Sequence, residues 1–427
     1  MAYKQLTEDI VVDYIKSLDS MKKIFSSFDS IEVKEIGDGN LNYVYIVTNS
    51  KNPEETVILK QAVPFLRVVG ESWPLDIERM NFEVAALKKE YEICPSLVPE
   101  VYFSDNEMSL VIMQNLNKHA IVRGEMNKGV RFPKLPDHVS TFLARMAFYT
   151  SDWGMAEKTE KWPDHDTAVK KDMVKQFINK DLCNLTENFI FSHPFYNSDT
   201  NSYTPGLSEK DIKSIQEDNE LKIKVALLRY KFMNNAEILL HGDLHTGSIM
   251  ANQDETYIID PEFAFYGPAG FDIGLLTGNL FLAYLGQLHW QKVLGNDPAD
   301  YRQWVLSAIK EIWDGFQAKY DILWKDRQKN SPDPMWDYPD GETAFAGLRK
   351  AEALRIFRDA VGIAGTVMIR RTLGLAKVSD IASIEDNEER SSLDRLALEI
   401  GKRLIIEADS MSSINDALKI AKEISPL

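Results

Sequence analysis

His241-Gly242-Asp243-Leu244-His245-Thr246-Gly247-Ser248, followed a short way on by Tyr257-Ile258-Ile259-Asp260-Pro261-Glu262, is the passage on which the reading of this chain turns. Ile238-Leu239-Leu240 precedes the first acidic site and Tyr257-Ile258-Ile259 leads into the second, so each is expected at the end of a short strand. A single Asp in such a place caps a turn or a helix as readily as it does chemistry. Two acidic sites at the ends of neighbouring strands suit phosphoryl transfer. One carboxylate accepts or orients the proton of an attacking hydroxyl, and the others hold magnesium against nucleotide phosphates. His241 and His245 stand four apart, but Gly242 intervenes and the segment is no helix, which argues against a zinc pair.

The rest of the chain supplies the setting. Its 427 residues, 44% hydrophobic and 10% aromatic, are enough for a large core and two or three domains. A net charge of −16 repels phosphate backbones and excludes nucleic acid as an expected partner. Cys94 and Cys183 lie far apart and give no zinc or redox spacing, as expected of a reducing compartment. The first residues carry Lys4, Glu8, Asp9 and Asp13 with no apolar stretch behind a basic start, so no signal peptide is expected. The most apolar run, Leu275 to Gly286, is too short to span a bilayer. A soluble cytoplasmic protein with no membrane partner is the expectation.

Strand patterns over Ile31 to Glu35, Leu41 to Val47 and Thr56 to Lys60 are followed by a helix pattern over Asp76 to Glu90. Strands at Val98 to Phe103 and Ser109 to Met113 come next. Beyond Lys134, helices are expected over 137–153, 164–179, 208–233, 271–289, 301–324 and 347–375. Short strands at 237–240, 249–251 and 257–259 interrupt them. The order implies an α+β fold of two lobes: residues 1–113 as a β-rich N-lobe, 114–118 as a hinge and 119–427 as a larger, mainly helical C-lobe. Ser331 to Gly341, rich in Pro, Asp and Gly, reads as a surface loop.

The combined pattern H-G-D-L-H-x-G-S and I-D-P-E resembles the catalytic loop and metal segment of aminoglycoside phosphotransferases, choline kinases and their relatives, which share the bilobal protein-kinase-like fold. Asp260-Pro261-Glu262 in place of D-F-G is similar to the methylthioribose kinase family in particular. Gln61-Ala62-Val63-Pro64, Pro261 to Pro268 and Gly270 to Gly274 also resemble that family, so the likeness runs from about Glu35 to Ala376. It implies ATP and Mg2+ as cofactors, with Asp243 as catalytic and substrate-binding base and Asp260 and Glu262 as metal ligands. Ser248 replaces the usual Asn of the catalytic loop, and Glu262 is expected to take over its metal-binding role.

Gly37-Asp38-Gly39-Asn40 resembles the family's nucleotide loop, although Asn42 stands where a third glycine would. The resemblance gives Lys60 to the α/β-phosphates, with Glu83 as its ion-pair partner and Glu78 as the competing choice. The backbone at Gln114 and Leu116 would meet the adenine edge, with Met113 behind the base and Asn115 in the same nucleotide-binding stretch. Trp73, in the loop Val69 to Leu75, belongs to the neighbourhood of the sugar. Arg370 and Arg371, in Met368 to Gly374, would contact the sugar or the transferring phosphoryl group. Adjacent helical residues do not share a face, so one arginine is expected to reach the site while the other makes structural pairs. The resemblance implies phosphorylation of the 1-hydroxyl of 5-methylthioribose in methionine salvage by a homodimer. The rival readings are a kinase of an aminoglycoside, choline or homoserine-like alcohol, and a nucleotide-binding pseudokinase scaffold. Asp272, at a helix start, is expected to tie down the catalytic loop rather than to act on substrate.

Overall fold

The computed structural model describes residues 3–36, 41–67, 70–155 and 167–427. The N-terminal part holds α1 (Glu8–Ser17), β1 (Ile31–Glu35), β2 (Asn42–Asn49), β3 (Asn52–Ala62), the hairpin of β4 (Phe65–Leu66) and β5 (Gly70–Pro74), α2 (Arg79–Ile93), β6 (Val101–Asp105) and β7 (Leu110–Gln114). Five of these strands form one antiparallel sheet in the order β1-β2-β3-β7-β6. Alternation along β2 and β3 puts Tyr45, Val47, Val57 and Leu59 on one face, buried against Leu6, Val11, Ile15, Met21 and Phe25. Lys60 is one residue out of phase with Leu59. It lies on the opposite face, toward α2, in register between Val44 of β2 and Val111 of β7.

The remainder is mostly helical: β8 (Ala120–Ile121), α3 (Val122–Asn127), α4 (Leu135–Tyr149), α5 (Asp152–Met155), α6 (Thr167–Gln176), α7 (Lys180–Phe191), α8 (Glu209–Gln216) and α9 (Asn219–Asn234). Then come β9 (Ile238–Leu240), β10 (Ile249–Ala251), β11 (Thr256–Ile258), β12 (Phe265–Gly267), α10 (Phe271–Val293), α11 (Pro298–Asn330), α12 (Gly341–Leu373), α13 (Ser379–Ala382), α14 (Asn387–Glu407) and α15 (Ile414–Ile424). The fold is α+β, bilobal and protein-kinase-like: an antiparallel sheet with α2 on one side of a cleft, a helical body on the other. β9 and β12 pair antiparallel, as do β10 and β11, and these small sheets carry the two acidic segments. No helix among the described residues is long and apolar enough to cross a membrane.

α12 is fixed by glycine contacts on two sides. Gly274 and Gly278 let α10 approach so closely that a Cβ there would lie 2.7 Å from Ala360 O and 2.6 Å from Ala364 O. Opposite, a Cβ on Gly365 would lie 2.3 Å from the carbonyl of Gly401 in α14. The last turn of α12 carries Arg370 and Arg371, so its placement sets theirs.

Several local expectations are corrected. The helix over 208–233 is two helices, because Ser208 caps α8 in a capping box with Asp211 and Asp218 caps α9 through Leu221 N–H at 2.8 Å. The helix expected from Asp76 starts at Arg79, since Asp76 Oδ1 accepts the Glu78 N–H in a local turn. The Trp73 loop is a strand, paired with Phe65–Leu66. The helix expected over 164–179 ends at Gln176, and α7 follows it unforeseen.

The glycine contacts predict a contrast between two substitutions. Gly278→Ala should lower stability by about 1–3 kcal/mol, read as a lower urea midpoint at unchanged slope, because backbone must shift to admit the methyl group. Gly347→Ala, in α12 with nothing within 4 Å of its Cβ position, should be neutral or stabilising by roughly 0.4–1 kcal/mol. Equal stability of the two variants would remove the close-packing account of α12.

Candidate active site

On the sheet side of the cleft, Lys60 Nζ donates to Glu83 Oε1 of α2 at 2.8 Å and to Asp260 Oδ1 at 2.9 Å. Glu78, the competing choice, is instead the residue preceding α2, its own N–H bound by Asp76. Burial alone would lower the Lys60 pKa, but Asp260, Glu83 and Glu262 outweigh it and keep the ammonium protonated. Lys60 is 6% exposed and Asp260 44%, so the lysine is locked in place while the aspartate faces the open cleft. Asp260 adopts a left-handed backbone, φ 63°, which few side chains tolerate as well as Asp. Pro261 O accepts the Ala264 N–H and closes the turn behind it.

Glu262 is buried, and burial pushes its carboxyl up to about 7 even with Lys60 pulling it down. Its Oε2 accepts Asn42 Nδ2 at 2.8 Å, and Asn42 Oδ1 in turn accepts Arg79 Nη2 at 2.8 Å. Arg79 also donates to the carbonyls of Val63, Asp76 and Leu41. Asn42, at the position of the absent third glycine, thus links β2 to the acidic segment. Asp260 and Glu262 offer oxygen donors alone, the set a hard divalent cation takes while keeping several waters. Among the described residues no group of three or more His, Cys, Asp or Glu gathers as a metal site.

The catalytic loop is held by its own backbone. Asp272, at the start of α10, accepts the N–H groups of His241 at 2.8 Å and Gly242 at 3.0 Å. Gly242 sits at φ 84°, and a Cβ there would lie 2.2 Å from Phe263 O, so the loop passes against the acidic segment only as glycine. His241 Nε2 lies 2.8 Å from Ile259 O and therefore carries its proton, leaving Nδ1 to accept the Asp243 N–H. Ser248 Oγ donates to the carbonyls of Asp243 and His245 and accepts the His245 N–H. Its hydroxyl is committed to closing the loop.

Asp243 keeps 30% of its side chain open to the cleft. Burial would raise its pKa, but His245 and the guanidinium groups of Arg371 and Arg370 outweigh it and hold the carboxyl well below the usual range. Burial pushes His245 down to about 4, so its imidazole is neutral. Its Nδ1 accepts the Gly247 N–H, leaving Nε2–H toward Asp243 Oδ2 at 3.4 Å. Arg371 Nη2 stands 4.0 Å from Asp243 Oδ1. The charges of both arginines of the pair act on Asp243, and Arg371 also donates to the carbonyl of Ala376.

Trp73 packs near Phe189, with ring centroids 6.4 Å apart, in a small apolar group with Leu41, Leu75, Leu182 and Phe263. Leu41 and Phe263 flank Asn42 and Glu262, so Trp73 stands beside the cleft. Met113 is buried at the end of β7. Gln114 Oε1 accepts the Glu100 N–H, Asn115 Nδ2 donates to Thr56 Oγ1, and Leu116 O accepts the His119 N–H. These bonds anchor the turn leaving the sheet. Gly37, Asp38, Gly39 and Asn40 lie outside the described residues. Sequence reasoning missed Arg79, Arg123 and Asp380 and noted Asn42 only as an exception. The one usable signal was an amide where glycine was expected.

With this geometry in hand, comparison with known proteins is direct. Residues 201–304 match the phosphotransferase enzyme family. The chain is 38% identical to methylthioribose kinase 1 of Oryza sativa subsp. japonica over 419 residues, 97% of this chain and 94% of that protein. It is 37% identical to the methylthioribose kinase of Geobacillus sp. strain WCH70, covering 97% and 94%, and 37% identical to that of Escherichia coli O45:K1, covering 98% of each. Among solved structures it is similar to a glucosamine kinase in complex with glucosamine, ADP and inorganic phosphate, at 13% identity and a TM-score of 0.47, covering 92% of this chain and 86% of that one. Identity at this level over nearly the whole of each relative means that the chain belongs to the methylthioribose kinase family.

Proposed function

We propose that the protein transfers the γ-phosphoryl group of ATP to the 1-hydroxyl of 5-methylthioribose, giving 5-methylthioribose 1-phosphate and ADP in methionine salvage. The observation that carries this reading is the convergence of Lys60 with Asp260 and Glu262 on one cleft, opposite Asp243, in a chain of this family. Residues 1–113 act as the N-lobe, 114–118 as the hinge and 119–427 as the C-lobe. The side chains of Gln114 and Asn115 are tied to the sheet, which leaves the backbone from Met113 to Leu116 to meet the adenine edge. Lys60, held by Glu83, meets the phosphates, which Gly37, Asp38, Gly39 and Asn40 also contact. Asp260 and Glu262 would hold Mg2+, which would neutralise charge on the nucleotide phosphates.

Asp243 is ionised at every working pH and accepts a hydrogen bond from the attacking hydroxyl. With so low a pKa it is a weak base in the ground state, so the proton passes to it only as the new O–P bond forms. Arg370 and Arg371 meet the charge that develops on the phosphoryl group and orient the sugar. Arg370 and Arg371 beside Asp243, with Arg123 next to both arginines, disfavour a cationic amino-alcohol substrate. Trp73 closes the sugar end. A cytoplasmic homodimer completes the reading, and sedimentation checks the assembly.

Asp243→Asn should lower kcat by about 10²–10⁴-fold with the KM for ATP unchanged. Phosphorus NMR of the wild-type product should show a sugar 1-phosphate. Full turnover by the variant, or transfer to choline or kanamycin in preference to methylthioribose, would overturn the assignment.

Glu262 sets a pH dependence. Its carboxyl is protonated in the fold up to about 7 but ionises above 4.5 in the unfolded chain. The nucleotide-free protein should therefore lose stability as pH rises from about 4.5 to 7. Mg2+ should raise Tm more at pH 8 than at pH 6, and this difference should vanish in Glu262→Gln. A Tm shift independent of pH in the wild type would remove Glu262 from the metal site.

A further inference from the structure

Arg371 presents a contradiction that its surroundings resolve. Its side chain is 6% exposed, and its Nη2 lies 4.0 Å from Asp243 Oδ1, beyond hydrogen-bond length. A guanidinium so shielded from water is attracted to a nearby carboxylate and would close to direct contact unless something held the two apart. One restraint is Ala376 O, which accepts Arg371 Nη1 at 2.5 Å. A second lies in α13. Asp380 is fully buried, and neither of its carboxylate oxygens has a hydrogen-bond partner among the described residues. It faces Arg123, whose Nε lies 3.1 Å from Asp380 Oδ2, and it attracts Arg371 as well. A buried carboxylate left with charges but no hydrogen bonds is costly, so its retention calls for a role.

Arg123 is itself built into the catalytic loop. Its backbone N–H donates to Thr246 O at 2.9 Å, and its Nη2 donates to Asn279 Oδ1 of α10 at 2.7 Å. A Cβ on Gly247 would lie 2.7 Å from its Nη1, so the guanidinium rests against that glycine. The Asp380 backbone is pinned by Trp290 Nε1, which donates to its carbonyl at 2.9 Å. Two fixed aspartates therefore compete for Arg371, Asp243 from the cleft and Asp380 from the interior.

We propose that Asp380 and Arg123 are positioning residues that hold Arg371 away from Asp243, so that the Asp243 carboxylate remains open to the alcohol. Counting His245 as neutral, Arg123, Arg370 and Arg371 carry one more charge than Asp243 and Asp380 cancel. The excess is available to the transferring phosphoryl group. If Asp380 loses its charge, Arg371 closes on Asp243 and competes with the hydroxyl. If Arg123 loses its charge, Asp380 has only Arg371 to draw on and pulls it from the site. Removing both charges cancels the two effects. The inference rests on the reading of Asp243 as the residue that binds the attacking hydroxyl.

The test is a double-mutant cycle of Asp380→Asn and Arg123→Met, read by steady-state kinetics with ATP and methylthioribose, with Asp243→Asn alongside. Each single variant should lower kcat by about tenfold or more with the KM for ATP within about twofold, and the double variant should turn over at least as fast as the better single. Single variants within about twofold of wild type, or a double loss equal to the product of the single losses, would overturn the proposal. If Asp380→Asn also loses ATP affinity, Arg123→Met decides: reduced kcat with KM for ATP intact supports the proposal, and loss of both overturns it. An active Asp243→Asn would sink the reading of Asp243, whereas an inactive Asp243→Asn with unaffected Asp380→Asn would sink only this inference.

Discussion

Everything on the sheet side of the cleft is arranged around one buried ammonium. Lys60 lies on the central strand and is nearly inaccessible, a position that is tolerable only because Glu83 and Asp260 both accept its protons. Removing the lysine would leave the fully buried Glu83 carboxylate uncompensated, which costs several kcal/mol, on the order of 3–5. The three residues come from a strand, a helix and a turn distant in sequence, so their meeting fixes β3, α2 and the acidic segment relative to one another. Asn42 and Arg79 repeat the scheme beside it, with Glu262 as the acceptor.

The opposite wall depends on shape more than on charge. Asp272 gathers two N–H groups of the catalytic loop, Ser248 closes it, and Gly242 lets it pass against Phe263. α12 is delivered to the same point by backbone contacts with α10 and α14. Hydrogen-bonded loop and close-packed helix therefore meet with tolerances of tenths of an ångström. A constellation of ionised groups needs this, because an arginine moved by one ångström changes both the pKa of Asp243 and the room left for a substrate oxygen.

Much of this was legible in the sequence. The two acidic segments, the lysine strand and the helix bearing Glu83 carry local signals, namely apolar runs ending in acids and helical spacing, and these mark them without knowledge of the fold. The role foreseen for Asp272 follows from its place at a helix start. What stayed hidden was any partnership made across distance. Arg79 looks like an ordinary charge on a helix, Arg123 belongs to a short helix with no motif, and Asp380 is an acid in a four-residue turn of helix. Only packing reveals that all three are buried or nearly so. The strand of Trp73 was missed because a five-residue strand that opens on Gly70 and ends on Pro74 looks like a loop. The division at Asp218 was missed because the hydrophobic spacing continues through a cap.

The bond from Asn42 to Glu262, with that from Lys60 to Asp260, has a kinetic consequence. Both join the sheet side of the cleft to the helical side. The second joins two charged groups and is worth about 1.5–3 kcal/mol. The two sides therefore part only by breaking both bonds, so any opening of the cleft is an activated step whose frequency falls on cooling.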